Sequence, residues 1–236
     1  MVFKRKSKKN ENKQRKPGLV VAGNPKSVIA EQFRNLRTNI QFSMVDQELK
    51  SLVMTSAGPG AGKSTIAANL ATTFATEDRR VLLVDADLRK PTVHQTFRLR
   101  NNEGLTTVLM QRNTELKDMI YKTHTEGLYL MTSGPIPPNP ADLLSSKRMQ
   151  SLKEEMEEMF DLIIFDTPPV LPVTDAQVMA SQTDGTVFVI QKGIATKEEV
   201  IKAKELLEMA EANVLGAVMN RVEKSNGSYY YYAEEE

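Results

Sequence analysis

The chain has no cysteine and no tryptophan, and only two histidines among 236 residues. Without cysteine there is no disulfide framework, no thiolate metal site and no thiol nucleophile. His94 and His124 stand alone rather than at metal-ligand spacing, so both read as exposed or capping residues. No apolar run approaches the roughly 18 residues of a membrane span, and the N-terminus lacks the apolar core of a signal peptide. These absences predict a protein that stays inside the cell. At 40% hydrophobic residues the chain can still bury a full core, and its length favours one large α/β domain over two small ones.

Charge is present but unevenly placed. The formal net charge is +1, yet residues 1–16 hold Lys4, Arg5, Lys6, Lys8, Lys9, Lys13, Arg15 and Lys16 against the single acid Glu11. That arm carries +7, leaving −6 for the rest of the chain. The segment lacks periodicity and is expected to be a flexible arm, drawn to an anionic membrane surface or an acidic partner, or simply solubilising. The acidic remainder offers no basic face for nucleic acid, which is excluded as a partner.

Apolar strands alternate with helical patterns along most of the chain. Strands are expected at Leu52 to Thr55, Val81 to Asp85, Leu128 to Met131, Leu162 to Asp166, Thr186 to Ile190 and Val214 to Met219. Helices are expected at Ser27 to Met44, Thr65 to Thr76, Lys147 to Met159, Asp175 to Ser181 and Thr196 to Ala212. Such alternation predicts an α/β fold with a mostly parallel central sheet covered by helices on both faces. The run Pro135 to Pro140 cannot form regular structure and reads as a stiff loop, and the twelve methionines read as core.

Between the first of these strands and its helix lies Ala57-Gly58-Pro59-Gly60-Ala61-Gly62-Lys63-Ser64-Thr65. This is a phosphate-binding loop in the strand, loop, helix context that such a motif requires. Its glycines let backbone N–H groups turn toward one anion, and the helix start adds positive potential. Lys63 can reach the β- and γ-phosphates, and Ser64 can ligate Mg²⁺. A nucleoside triphosphate is the expected ligand, gripped by residues 58–65.

Two acidic motifs sit at the ends of later strands, where parallel sheets carry their sites. In Val84-Asp85-Ala86-Asp87-Leu88-Arg89 the carboxylates are two residues apart and point to one side of a strand end. In Leu162-Ile163-Ile164-Phe165-Asp166-Thr167-Pro168-Pro169 an apolar strand ends in one aspartate, the form of a second acidic motif beside Mg²⁺. Aspartate at a strand end also caps turns, so each has a purely structural alternative.

The phosphate loop, Asp85-x-Asp87-x-Arg89 and Ile163-Ile164-Phe165-Asp166-Thr167-Pro168-Pro169 together resemble the bacterial tyrosine kinases over residues 25–232. That family is similar in fold to the cell-division-positioning and plasmid-partition ATPases. Those ATPases carry an extra lysine early in the loop where this chain has Gly58, which favours the kinases. Further resemblance lies in Tyr229-Tyr230-Tyr231-Tyr232, behind a Ser225-Asn226-Gly227-Ser228 linker, and in Glu31-Gln32-Phe33-Arg34-Asn35-Leu36-Arg37. Taken by itself, the Glu31, Arg34 and Arg37 stripe could be merely solvated, and the aromatic run could be a docked strand.

The resemblance implies an ATP-dependent tyrosine autokinase that regulates capsular or exopolysaccharide synthesis. Lys63, Asp85, Asp87 and Asp166 are then catalytic, with Asp85 as base and Ser64, Asp87 and Asp166 as Mg²⁺ site. Asn220 resembles the residue that contacts adenine in related ATPases, although a strand-end turn explains it equally well. Tyr229 to Tyr232 become phosphoacceptors, and Glu31, Arg34 and Arg37 a ring-forming contact. Implied partners are further copies of the chain, a transmembrane adaptor that recruits it to the inner face of the cell membrane, and a cognate tyrosine phosphatase. The expected division is a basic arm at 1–24, a kinase domain at 25–222 and a tyrosine-rich tail at 223–236. Two alternatives remain open: a switch ATPase that phosphorylates nothing, and a module that binds nucleotide only to assemble.

Overall fold

The strands Ser51–Ser56 (β1), Val81–Asp85 (β2), Tyr121–Lys122 (β3), Leu128–Met131 (β4), Leu162–Asp166 (β5), Gly185–Gln191 (β6) and Val214–Asn220 (β7) form one sheet in the order β3-β4-β2-β5-β1-β6-β7. Every pairing is parallel except that of β3 with β4. These elements come from a computed structural model that describes residues 18–44, 48–76, 78–111 and 113–222. The basic residues 1–16 and the cluster Tyr229 to Tyr232 lie outside the described residues.

The helices are Val20–Gly23 (α1), Val28–Phe42 (α2), Lys63–Ala75 (α3), Val93–Phe97 (α4), Leu105–Met110 (α5), Pro140–Leu144 (α6), Lys147–Met159 (α7), Asp175–Ala180 (α8) and Lys197–Met209 (α9). Side-chain caps mark the starts of α2, α7 and α9. Ser27 accepts from the Ala30 N–H on α2, Ser146 from Met149 on α7, and Thr196 and Glu199 form a reciprocal box on α9. Among the described residues no helix is long and apolar enough to cross a membrane.

Strand parity divides the core into two layers. Leu52, Met54, Val81, Leu83, Leu162 and Ile164 face a cluster built on α2, α3 and α4. Their neighbours Val53, Leu82, Val84, Ile163 and Phe165 face a second cluster built on α5 to α9. Successive side chains point to opposite faces, so Asp85 and Asp166, two positions beyond Leu83 and Ile164, fall on the face that carries α3. The sequence pattern thus aims both carboxylates at the helix that begins in the phosphate loop.

Two sequence expectations need correction, and the structure adds one strand. The edge strand β3 is only two residues long and carries no periodic signal. Val20 to Gly23, expected within the arm, form α1, which packs on α3 with Val21 buried and its N–H donated to Asn69 Oδ1 at 3.0 Å. Not all methionines are core, since Met110, Met209 and Met219 are exposed.

Candidate active site

The phosphate loop joins β1, a central strand flanked by β5 and β6, to α3. Its left-handed turns fall at Gly60, with φ 81°, and Gly62, with φ 87°. Glycine adopts such angles without the penalty other residues carry. Gly62 caps α3 with no side-chain hydrogen bond, so the first N–H groups of the helix have no side-chain acceptor at this end. Those donors and the helix dipole favour an anion. Lys63 is buried, as the first residue of α3.

Two amides from neighbouring strand ends hold the loop's carbonyls. Asn220, at the end of β7, donates from Nδ2 to the Ala61 carbonyl at 2.8 Å, and its Oδ1 accepts the Arg221 N–H at 2.9 Å. Gln191, at the end of β6, donates to the Gly60 carbonyl at 2.6 Å and accepts from Arg221 Nη1 at 3.1 Å when its amide is oriented to satisfy both neighbours. Asn220 therefore contacts the phosphate loop directly, through the Ala61 carbonyl. Gln191 was missed because a glutamine ending an apolar strand carries no motif of its own.

The connector after β5 is tied to the same loop. Val170 donates its N–H to the Ser56 carbonyl at 2.8 Å and Leu171 to Ala57 at 3.2 Å. Thr55 Oγ1 donates to the Pro168 carbonyl at 2.9 Å, and Thr167 Oγ1 to Met54 at 3.0 Å. Neither proline of Thr167-Pro168-Pro169 could donate an N–H, so the surrounding N–H and hydroxyl groups supply every tie.

The three acidic residues behave differently. Asp85 is fully buried; its Oδ2 accepts the N–H groups of Thr92 at 3.1 Å and Val93 at 3.0 Å, while its Oδ1 has no partner. Burial pushes its carboxyl well above the usual carboxylate range, reinforced by the charges of Asp166 and Asp87 and opposed by those two N–H groups. Asp166 is fully buried with neither oxygen partnered, and burial pushes it up to about 6 against the pull of Lys63 and Ser64. Ser64 Oγ accepts its observed hydrogen bond from Thr92 Oγ1, at 3.0 Å. Asp87 Oδ1 accepts from the backbone N–H groups of Lys90 at 2.9 Å and Arg89 at 3.3 Å.

This arrangement suits a cation. Like-charged buried carboxylates destabilise one another unless protonated or neutralised, and carboxylate and hydroxyl oxygens are the hard donors that suit Mg²⁺. Among the described residues no group of three or more acidic or histidine side chains is gathered closely enough to cage a metal by itself. Mg²⁺ commonly binds through one or two carboxylates together with water and substrate phosphates. The residues present fit the ion.

The Glu31, Arg34 and Arg37 stripe is split by the structure. Exposed Glu31 and half-buried Arg34 are paired with each other, Arg34 Nε donating to Glu31 Oε2 at 2.8 Å. Arg37 turns inward and donates from Nη1 to the Thr73 carbonyl on α3 at 3.1 Å. The stripe expected to serve assembly as one unit thus contains a residue that joins two helices of the same chain. His94, expected to be exposed or capping, is half-buried, and its Nδ1 has no partner.

Comparison with known proteins agrees with this geometry. Residues 49–203 match the family model described as AAA domain. The tyrosine-protein kinase YwqD of Bacillus subtilis (strain 168) is 48% identical over 95% of this chain and 94% of its own length. The crystal structure of the chimerical protein CapA2B2 superposes with a TM-score of 0.84 at 47% identity, covering 87% of this chain and 90% of that one. The septum site-determining protein MinD of Pyrococcus horikoshii OT3, solved with Mg-ADP, shares the fold at a TM-score of 0.63 and 24% identity, covering 75% of this chain and 72% of that one. Identity of 48% over nearly the whole of both chains, together with a phosphate loop faced by buried strand-end aspartates, places the chain in the family of bacterial tyrosine kinases, as a protein-tyrosine kinase with the fold of a phosphate-loop ATPase.

Proposed function

We propose that the chain transfers the γ-phosphoryl of ATP to Tyr229, Tyr230, Tyr231 and Tyr232 of its own kind, and so regulates capsular or exopolysaccharide synthesis. The observation that carries this reading is the Asp85 carboxylate: buried beside the phosphate loop, with one oxygen shaping its own loop and the other unpartnered. Phosphoryl transfer has a loose transition state, so positioning and charge neutralisation do most of the catalysis. Lys63 neutralises the β- and γ-phosphates. Ser64, Asp87 and Asp166 would hold Mg²⁺, which would supply further charge neutralisation at the phosphates.

Asp85 accepts the tyrosine proton late, as charge develops on the attacking oxygen. A phenol with a pKa of about 10 and an ordinary carboxylate near 4 are poorly matched for proton transfer. The unpartnered Asp85 Oδ1 leaves an oxygen to take that proton. Asp85→Asn should therefore abolish phosphotransfer while leaving most nucleotide binding intact.

The same reading assigns Glu31 and Arg34, with exposed Val28 and Ile29 beside them, to contacts between copies in a ring. A transmembrane adaptor recruits the chain to the inner membrane face, the basic arm adding attraction to anionic lipid, and a tyrosine phosphatase resets it. Phosphates added beside Glu234, Glu235 and Glu236 repel one another and release the tail from a neighbour's site. The test is to incubate the chain with labelled ATP, Mg²⁺ and the adaptor's cytoplasmic segment. Phosphotyrosine within residues 229–232 is expected; free phosphate alone would instead mark a switch ATPase, and retained ATP an assembly module. Changing all four tail tyrosines to Phe should leave an oligomer that persists with ATP and Mg²⁺.

A further inference from the structure

A fourth buried carboxylate lies outside the acidic triad. Asp175, in the first turn of α8, is fully inaccessible to water and is gripped by Arg89. Arg89 Nε donates to Asp175 Oδ2 and Arg89 Nη2 to Asp175 Oδ1, both at 2.9 Å. This is a fork-to-fork pair, the geometry in which arginine gives orientation as well as charge.

Arg89 belongs to the loop between β2 and α4, which carries Asp85 and Asp87. Most ties within that loop are local. Asp87 Oδ1 accepts from the N–H groups of Arg89 and Lys90, and Asp85 Oδ2 from those of Thr92 and Val93. Two side chains connect it elsewhere. Thr92 donates to Ser64 of the phosphate loop, and Arg89 reaches α8. The segment leading to α8 is itself bonded to the phosphate loop through Val170 to Ser56 and Leu171 to Ala57. The contacts therefore close a ring that runs from the phosphate loop through the β5–α8 connector, Asp175, Arg89 and the acidic loop, and returns through Thr92 to Ser64. Arg89 and Asp175 form the ionic link in it.

We propose that Arg89 and Asp175 are positioning residues for phosphoryl transfer, holding the loop that bears Asp85 and Asp87 in fixed register with the phosphate loop. They act through the loop, whose turn Asp87 caps at the N–H of Arg89 itself. The proposal rests on the assignment of Asp85 and Asp87 to the transfer step.

The test compares the full chain with Arg89→Gln/Asp175→Asn, Arg89→Lys and Asp85→Asn. The double variant removes both charges together, so no buried charge is stranded. It is expected to melt within a few degrees of the parent and to bind Mg-ADP with similar affinity. Its kcat for phosphotyrosine formation should fall on the order of 10- to 100-fold, with KM for ATP nearly unchanged, as misplacement of reacting groups predicts. Arg89→Lys keeps a cation without the fork and should recover only part of kcat. The proposal is overturned if the double variant keeps the parent kcat, or if kcat, melting temperature and Mg-ADP affinity all fall together. Should the double variant not fold, a folded Arg89→Lys protein with parent kcat overturns it equally. Asp85→Asn separates the two levels. If that variant stays active, the assignment beneath the proposal fails; if it is inactive while the double variant is not, only the positioning role fails.

Discussion

Asp85 and Asp166 face each other as the last paired residues of β2 and β5, both sealed from water, and between them three of four carboxylate oxygens have no hydrogen-bond partner. A fold assembled for stability alone would put apolar or hydrogen-bonded groups there, because unpaired buried charge is among the most expensive features a core can hold. The pair is tolerable when protonated or when a cation sits beside it. Lys63 supplies part of that charge, and ligand binding is expected to supply the rest.

In the chelated, nucleotide-free protein this site should weaken the fold as pH rises. The Asp166 carboxyl is raised to about 6 in the folded state from an ordinary 3.8, so the native chain holds its proton where the unfolded chain has lost it. Its stabilising contribution is fully present below about pH 4 and is lost as pH climbs to about 6, amounting to at most about 3 kcal/mol. Asp85, raised for the same reason, acts in the same direction. Asp166→Asn should therefore melt higher than the parent at pH 7.5 in chelator, the advantage shrinking toward pH 4 and when Mg²⁺ and ADP are added. Parallel melting curves for parent and variant across that range would refute it.

Gly62 and Asn220 are matched in space. A Cβ placed on Gly62 would lie 2.3 Å from Asn220 Nδ2, and the backbone there has φ 87°. Gly62→Ala should thus cost about 1–3 kcal/mol through backbone strain and dislodge the amide that holds Ala61. The measurement is ADP affinity by calorimetry beside thermal melting. Adding Asn220→Gly to Gly62→Ala should relieve the clash but not the strain, restoring part of the stability and little of the affinity. Full recovery of both would show that only the clash mattered.

The parts of this structure written in local pattern were legible beforehand. Strand runs such as Leu162 to Asp166 and the glycines around Lys63 carry periodicity or backbone demands that need no knowledge of distant residues. What stayed hidden depends on pairings far apart in sequence. Asp175 read as an ordinary helix start until Arg89, 86 residues away, was found to hold it. Gln191 looked like the end of a strand, and Arg37 like one member of a surface stripe, because nothing local records that Thr73 lies beside it.

That inward turn of Arg37 separates two effects that a stripe of three charges would merge. Arg37→Ala should lower the stability of the single chain by about 1–2 kcal/mol, through loss of a charged hydrogen bond to the end of α3 and of side-chain packing. Glu31→Ala, on an exposed pair, should change it by less than about 0.5 kcal/mol. Denaturant melts of dilute protein measure the first effect, and sedimentation with ATP and Mg²⁺ measures assembly. If both variants leave the melt unchanged and differ only in assembly, the contact between Arg37 and Thr73 contributes nothing within the chain.

Asn220 offers a choice between two roles with opposite signatures. If it supports the loop, as its bond to the Ala61 carbonyl suggests, Asn220→Ala removes one hydrogen bond worth about 0.5–1.5 kcal/mol and weakens ATP and GTP alike by roughly threefold to tenfold. If it reads the base, the same change weakens ATP selectively and collapses discrimination between the two. Gln191→Ala, which releases the adjacent Gly60 carbonyl, serves as the reference, since its side chain is expected to act only through the loop. Equal losses for the two nucleotides in both variants are the expected result, measured by competition titration against a fluorescent ADP. A loss confined to ATP in Asn220→Ala would return that residue to the base-contacting role expected from its sequence position.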